Sequence, residues 1–313
     1  MHQFLPAQAN VPKNILVPWA ERVMEASDGR IKIDHFPAMQ LGGTPPELIG
    51  QVTDGVADIV WTVAGYTPGR FPHTELFELP FMMTDAEATS RAYWDMAQKY
   101  MVDGEFSDFH VLGVWVHGPG LIHSSDPITL PEDLNGVKLR APTRTTTALF
   151  SSLGATAVGM PVPAVPESLS KGVIDAAVIP WEVTGALKVP ELVTNHLEFG
   201  DETLYTTAFI FAMNKDTYEA MPDDLKAIID ANSGADFSAS AGAQMQADDG
   251  PGREAALDLG NTVTTLTGEQ VEVWRMAAAP VIETWIETAT ADGLDGAALV
   301  EETRGLIASY TAQ

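Results

Sequence analysis

The chain has 313 residues, 43 acidic against 17 basic side chains, a formal net charge of −26 and no cysteine. The missing thiols exclude a disulfide framework, a thiol nucleophile and thiolate metal sites, and the negative charge argues against nucleic acid as a partner. Hydrophobic residues at 45% against 19% charged supply a large core, and the length suits two lobes better than one.

No apolar run reaches the roughly 20 residues that cross a membrane. The start, Met1-His2-Gln3-Phe4-Leu5-Pro6, has no basic segment leading into a long apolar stretch, so it reads as a cytoplasmic protein or as a processed or shortened form. Residues 11–28 read as a helix, with Trp19, Val23 and Ala26 at helical spacing and Asp28-Gly29 as the stop. Ile31 to Phe36 alternates as a strand. Pro45 and Pro46 open a helix with Leu48, Ile49 and Val52 inward. Ala57 to Val63 is an almost unbroken apolar run, the pattern of a buried parallel strand. The order continues with helix 86–102, strand 109–116, a turn at Asp126-Pro127, strand 137–141, helix 144–153, an apolar stretch at 156–160, helix 164–171 and strand 173–179. This alternation predicts an α/β fold with mainly parallel sheets. Tyr205 to Met213 reads as a strong strand and 223–249 as a helix, which Gly250-Pro251-Gly252 interrupts. Helix 253–259, a short strand at 263–266 and a long amphipathic helix at 269–290, bearing Trp274 and Trp285, complete the chain.

Motifs of catalysis are missing. There is no GxGxxG after a strand, no phosphate-binding GxxxxGK[ST], no HExxH and no GxSxG, and the seven histidines are scattered. The expectation is a chain without catalysis, metal or cofactor. Three features point elsewhere. The strand Val137-Lys138-Leu139-Arg140-Ala141 carries a guanidinium to its C-terminal end, where open α/β sheets collect ligands. Arg140 there either clamps a carboxylate through paired hydrogen bonds or makes a structural ion pair. The strand Gly172 to Ile179 ends in Pro180-Trp181-Glu182, so Trp181 either roofs a pocket or packs the core, and Glu182 caps a helix, opposes Arg140 or meets a cationic ligand group. Finally, Gly55-Val56-Ala57-Asp58 and Gly172-Val173-Ile174-Asp175 are matching strand entries in different halves, as two similarly built lobes would give.

At these residues the chain resembles the extracytoplasmic solute-binding proteins of TRAP transporters, the dicarboxylate-type (DctP) family. The matching stretches are Ser27 to Ile33, Phe36 to Gly43, Asp54 to Asp58, Glu78-Leu79-Pro80-Phe81, Leu134 to Arg140, Leu153-Gly154-Ala155, Glu167 to Asp175 and Met213-Asn214-Lys215, in family order over nearly the whole chain. The resemblance implies a two-lobed periplasmic-binding-protein-like α/β fold with hinge strands, and a long helix, 223–249, lying across both lobes. It implies lobes of residues 1–118 plus 206–249 and of 119–205 plus 250–313. It also implies a periplasmic protein without its signal peptide, acting as a monomer that captures a small organic carboxylate and delivers it to the TRAP permease membrane subunits.

The family's carboxylate-holding arginine corresponds here to Arg140. Gly120 stands where some members carry a second arginine, Ile179 replaces a polar asparagine, and Trp61, Thr62 and Val63 fall on the polar positions of sugar-acid binders. One arginine with Trp61, Tyr66, Trp181, Tyr205 and Phe209 suggests an aromatic or apolar monocarboxylate, with Thr62 and His117 as further candidate lining residues. The rivals are an amino acid with its ammonium on Glu182, a dicarboxylate using Arg144 as a second cation, and a sensor or enzyme on the same fold.

Overall fold

The computed structural model describes residues 1–312. Its strands are β1 (Ile59–Val63), β2 (Phe109–Val116), β3 (Leu121–Ser124), β4 (Lys138–Ala141), β5 (Thr156–Gly159), β6 (Ala176–Ile179), β7 (Asn195–Glu198), β8 (Ala208–Asn214) and β9 (Thr262–Thr265). They form a three-stranded sheet ordered β1-β8-β2 and a six-stranded sheet ordered β5-β4-β6-β3-β7-β9. The pairs β4–β5, β4–β6 and β7–β9 are parallel. The pairs that involve β8 or join β3 to β6 and β7 are antiparallel. The expected mainly parallel arrangement is thereby corrected. The physical reason is insertion: β8 lies between β1 and β2, and β3 between β6 and β7, so each of these two reversed strands makes both of its pairings antiparallel.

Extended residues Ile31 to Phe36 do not form the anticipated strand. Phe36 makes only an isolated bridge to His2, which also bridges Val60. The His2 N–H donates to the Ile59 carbonyl at 2.8 Å and its carbonyl accepts from Trp61 N–H at 3.2 Å. The first residues thus lie beside β1 and carry Phe4 and Leu5 into the interior.

The helices are α1 (Val17–Ala26), α2 (Leu48–Thr53), α3 (Ala86–Met96), α4 (Arg144–Ser152), α5 (Val165–Ser170), α6 (Trp181–Leu187), α7 (Lys215–Glu219), α8 (Asp223–Ala231), α9 (Ala235–Ala247), α10 (Asp249–Asp258), α11 (Gly268–Ala291) and α12 (Gly296–Thr311). The single helix expected at 223–249 is two. Gly234, at φ 89°, leaves the helical region and separates α8 from α9. The interruption expected at Gly250-Pro251-Gly252 falls earlier, at Asp248. A proline ring clashes with the carbonyl four residues before it, so the break must precede Pro251. Within α10, Pro251 occupies the first turn, where its missing N–H has no intrahelical use. Gly252 lets α10 press against α6, since a Cβ there would stand 2.2 Å from the Trp181 carbonyl oxygen.

The helix that bridges the lobes is α11, not 223–249. Its Trp274 belongs to the apolar cluster of the six-stranded sheet, with Phe150, Phe199 and Tyr205. Its Trp285 belongs to the cluster of the three-stranded sheet, with Trp19, Trp61, Trp115 and Phe211. The two indole N–H groups donate to the Thr129 carbonyl and to the Glu75 carboxylate, both at 3.1 Å. A span of 24 residues is about 36 Å long, enough to reach across two lobes. α12 then packs on α3, where Tyr310 donates to Asp95 at 2.6 Å.

Candidate ligand-binding site

A cavity lies between the two sheets. Seven of the nine residues anticipated for the site line it: Trp61, Tyr66, His117, Arg140, Glu182, Tyr205 and Phe209. Thr62 and Trp181 do not. Side chains alternate across a strand, so Trp61 and Val63 of β1 face the cavity and Thr62 faces away. Trp181 begins α6 with its ring turned into a small cluster with Leu121 and Ala256, and its indole N–H donates to Glu198 at 2.9 Å. It is Glu182, one residue on, that reaches the cavity.

One wall is aromatic. Trp61 stacks on Phe4 at 4.7 Å and on Phe209 at 5.1 Å between ring centroids, and Tyr66 meets Phe4 edge-on at 5.6 Å. Phe4 and Leu5 are lining residues that the sequence reading missed, as are Thr207, Val162 and Val183. The apolar Phe4-Leu5 pair was the available signal, but only pairing of the first residues with β1 brings it to Trp61.

Opposite stands Arg140, 2% exposed. Its Nε donates to the Met160 carbonyl and its Nη1 to the Val178 carbonyl, both at 2.9 Å. These bonds to the ends of adjoining strands fix the guanidinium plane and leave other N–H groups free of them. Burial pulls its pKa down, while the Tyr66 and Tyr205 hydroxyls act in the other direction. Among the described residues no carboxylate pairs with it, which removes the structural ion-pair reading. A buried cation without a counter-ion is costly, and native structures normally pair such groups.

The surrounding polar groups are held near neutrality by burial. The Tyr66 hydroxyl accepts from Val162 N–H at 2.9 Å across the gap between the sheets. The Tyr205 hydroxyl is buried without any protein partner. His117 donates from Nδ1 to the Gly118 carbonyl at 2.5 Å. Burial, opposed by that bond and aided by the nearby Arg140 charge, pulls His117 down to about 4, so it is uncharged at neutral pH. Burial and then Asp249 and Asp248 push the Glu182 carboxyl well above the carboxylate range.

Two sequence-level questions have geometric answers. Arg144 is not in the cavity: its Nη2 donates to Glu75 at 3.0 Å and its Nε bonds the other oxygen of the same carboxylate. At Gly120, a Cβ would stand 2.2 Å from Tyr205 Cε1, so the tyrosine ring fills the room of a side chain at that position. Neither alternative source of a second guanidinium exists here.

The model of bacterial extracellular solute-binding protein family 7, DctP, matches residues 2–288. The chain belongs to this family. A TRAP solute-binding protein from Rhodoferax ferrireducens, solved with copurified benzoate, is 47% identical, with 99% of this chain and 97% of that one covered at a TM-score of 0.98. A marine metagenome TRAP solute-binding protein specific for aromatic acid ligands, solved with 3-hydroxybenzoate, is also 47% identical, covering 99% and 97% at a TM-score of 0.96. A Comamonas testosteroni relative, the outer membrane transporter protein TsaT, is 26% identical over 95% of this chain and 87% of its own. The chain is therefore a TRAP-type solute-binding protein of two-lobed α/β architecture. Among the described residues no helix is long and apolar enough to cross a membrane.

Proposed function

We propose that this protein is the periplasmic receptor of a TRAP transporter for an aromatic monocarboxylate, which it hands to the permease subunits without chemical change, acting as a monomer. The observation that carries this reading is Arg140: a buried guanidinium, oriented by two backbone carbonyls, lining an aromatic cavity and lacking a counter-ion. A ligand carboxylate supplies the missing charge. The Tyr66 and Tyr205 hydroxyls add donors beside it, and Trp61, Phe209 and Phe4 flank the ring. The benzoate and 3-hydroxybenzoate of the two 47% identical structures support the same ligand class. A dicarboxylate lacks a second clamp, because Arg144 is engaged by Glu75 and Gly120 is covered by Tyr205.

The ligand binds between lobes that close by bending where the chain passes between the sheets, at 117–120 and 205–207, and at Asp248 between α9 and α10. The lobes of that motion are 1–118 plus 206–249 and 119–205 plus 250–267, with α11 spanning both and α12 carried on α3 of the first. Ligand contacts to both lobes then bias the equilibrium toward closure.

Calorimetric titration with benzoate, hydroxybenzoates, succinate, a sugar acid and an amino acid tests the reading. Aromatic acids should bind and the others should not. Arg140→Ala should lose binding by at least a hundredfold, since removing one partner of a buried ion pair costs about 3–5 kcal/mol. Tight binding of succinate, or unchanged affinity in Arg140→Ala, would overturn it.

A further inference from the structure

Arg140 accounts for the carboxylate end of the ligand but leaves the Glu182 carboxyl of the cavity unexplained. Glu182 is 4% exposed, lines the same cavity, and its Oε2 has no hydrogen-bond partner. Its backbone is pinned on both sides. The N–H donates to Asp249 Oδ1 at 2.8 Å, and the carbonyl accepts from Asn10 Nδ2 at 2.6 Å. These bonds fix the point from which the side chain starts, in the first turn of α6 beside the cavity. The usual reasons for a buried carboxyl do not hold here. It is not the counter-ion of Arg140, since the charges that act on it are Asp249 and Asp248, both acidic. It does not close a protein hydrogen-bond network, since Oε2 is orphaned, and buried polar groups in native proteins are normally satisfied.

Charge counting narrows what its partner is. With Glu182 ionised, the cavity would already be neutral with Arg140 alone, and a ligand carboxylate would bring an unbalanced negative charge into a buried site. With Glu182 as the uncharged acid, which its burial and acidic neighbours favour, Arg140 and the ligand carboxylate balance. An uncharged carboxyl group both donates and accepts one hydrogen bond, which is the complement of a hydroxyl. Nearby lining residues Leu5, Ile179, Pro180 and Val183 offer that hydroxyl no competing side-chain partner.

We propose that the Glu182 carboxyl group hydrogen-bonds a hydroxyl on the ring of the bound aromatic acid, so that the preferred ligands are hydroxylated aromatic monocarboxylates. This rests on the aromatic-acid reading of the site and adds to it a specificity-determining residue. An unsubstituted ring leaves Oε2 unpaired in the closed cavity. A hydroxylated ring pairs it, and also pairs the hydroxyl that an apolar wall would strand.

The test is the ratio of benzoate to hydroxybenzoate dissociation constants, measured by calorimetry on the full chain with benzoate, 3-hydroxybenzoate and 4-hydroxybenzoate. The wild type should favour one of the two hydroxybenzoates by at least tenfold. Glu182→Gln, which keeps a donor and an acceptor, should hold that ratio within threefold. Glu182→Leu should bring it to about one, and Glu182→Ala serves the same comparison if the leucine variant does not fold. A wild-type ratio near one, or a ratio that survives in Glu182→Leu or Glu182→Ala, overturns the proposal while leaving the aromatic-acid reading standing. Tighter wild-type binding of 3-(aminomethyl)benzoate than of either hydroxybenzoate also overturns it, by making Glu182 an ammonium acceptor. Failure of the wild type to bind any of these benzoates instead removes the aromatic-acid reading itself.

Discussion

Tyr205 separates what a residue does for the fold from what it does for the ligand. Its ring packs in the core of the six-stranded sheet and meets Phe150 edge-on at 6.1 Å, while its hydroxyl is buried with no protein partner beside Arg140. Tyr205→Phe keeps the ring and removes only the orphan. The ligand-free melting temperature should therefore stay the same or rise, because an unsatisfied buried hydroxyl is lost. Affinity for benzoate should fall roughly 10- to 100-fold, because a hydrogen bond to a charged group is worth about 1.5–3 kcal/mol. A loss of thermal stability with unchanged affinity would reverse the assignment. Much of this site was legible at residue level. The Lys138-x-Arg140 strand end and the aromatic positions around it pointed to seven residues that do line one cavity. Thr62 and Trp181 were misread for a single reason. A sequence names the neighbourhood, but side-chain direction depends on strand phase and on how a helix starts.

Elements were legible where the local signal is long. Strand β2, helices α4 and α11 and the buried β8 follow their apolar patterns closely. Strands β3 and β7 are four residues each and place polar His123, Ser124, Asn195 and Glu198 in a sheet, so nothing local distinguishes them from loops. They exist through long-range pairing, His123 opposite both Ala177 and His196. Helix α12 was missed although its signal is present: Asp295 caps Ala298 N–H at 3.1 Å, and Leu299, Thr303 and Ile307 repeat every fourth residue. The two crossing segments illustrate what only packing reveals. Gly120 N–H donates to the Tyr205 carbonyl at 2.9 Å, binding the outgoing segment to the returning one, and the tyrosine ring lies over the glycine. Gly120→Ala has no open space for its methyl group. It should lower stability by about 1–3 kcal/mol, as overpacking does, and weaken carboxylate binding because the Tyr205 ring must shift. Denaturant unfolding and calorimetry on the same variant check both, and a variant equal to wild type in both would show that the contact yields freely.

At the scale of the molecule, a charge of −26 offers no field to attract an anion, so recognition rests on Arg140 and the few groups around it. The excess acid is mostly solvated surface, yet the buried Glu78 and Glu182 and the half-buried Asp249 link the whole fold to pH. Glu78 accepts from Ala208 N–H at 3.2 Å at the start of the crossing strand β8, and its other oxygen has no partner. Burial pushes Glu78 up from 4.5 to about 8 and Asp249 up from 3.8 to about 7. A carboxyl whose pKa rises on folding binds its proton more tightly in the native state. Stability is therefore greatest below the unfolded value and is lost as pH climbs toward the folded one. The buried histidines work in the opposite sense. Burial lowers His117 to about 4, His123 to about 3 and His196 to about 4, so their contribution is present above 6.5 and lost as pH falls toward those values. The wild type should lose melting temperature both on acidification below pH 6 and on alkalinisation from pH 6 to 8.5. Glu78→Gln keeps a neutral hydrogen-bonding side chain and removes one proton-linked group. It should flatten the alkaline side, gain about 3 kcal/mol over wild type at pH 7, and lose stability more steeply on acidification from pH 6 to 5, because Glu78 no longer opposes the histidines there. Parallel alkaline slopes for the two proteins in melting curves from pH 5 to 8.5 would mean that Glu78 is already ionised in the native protein.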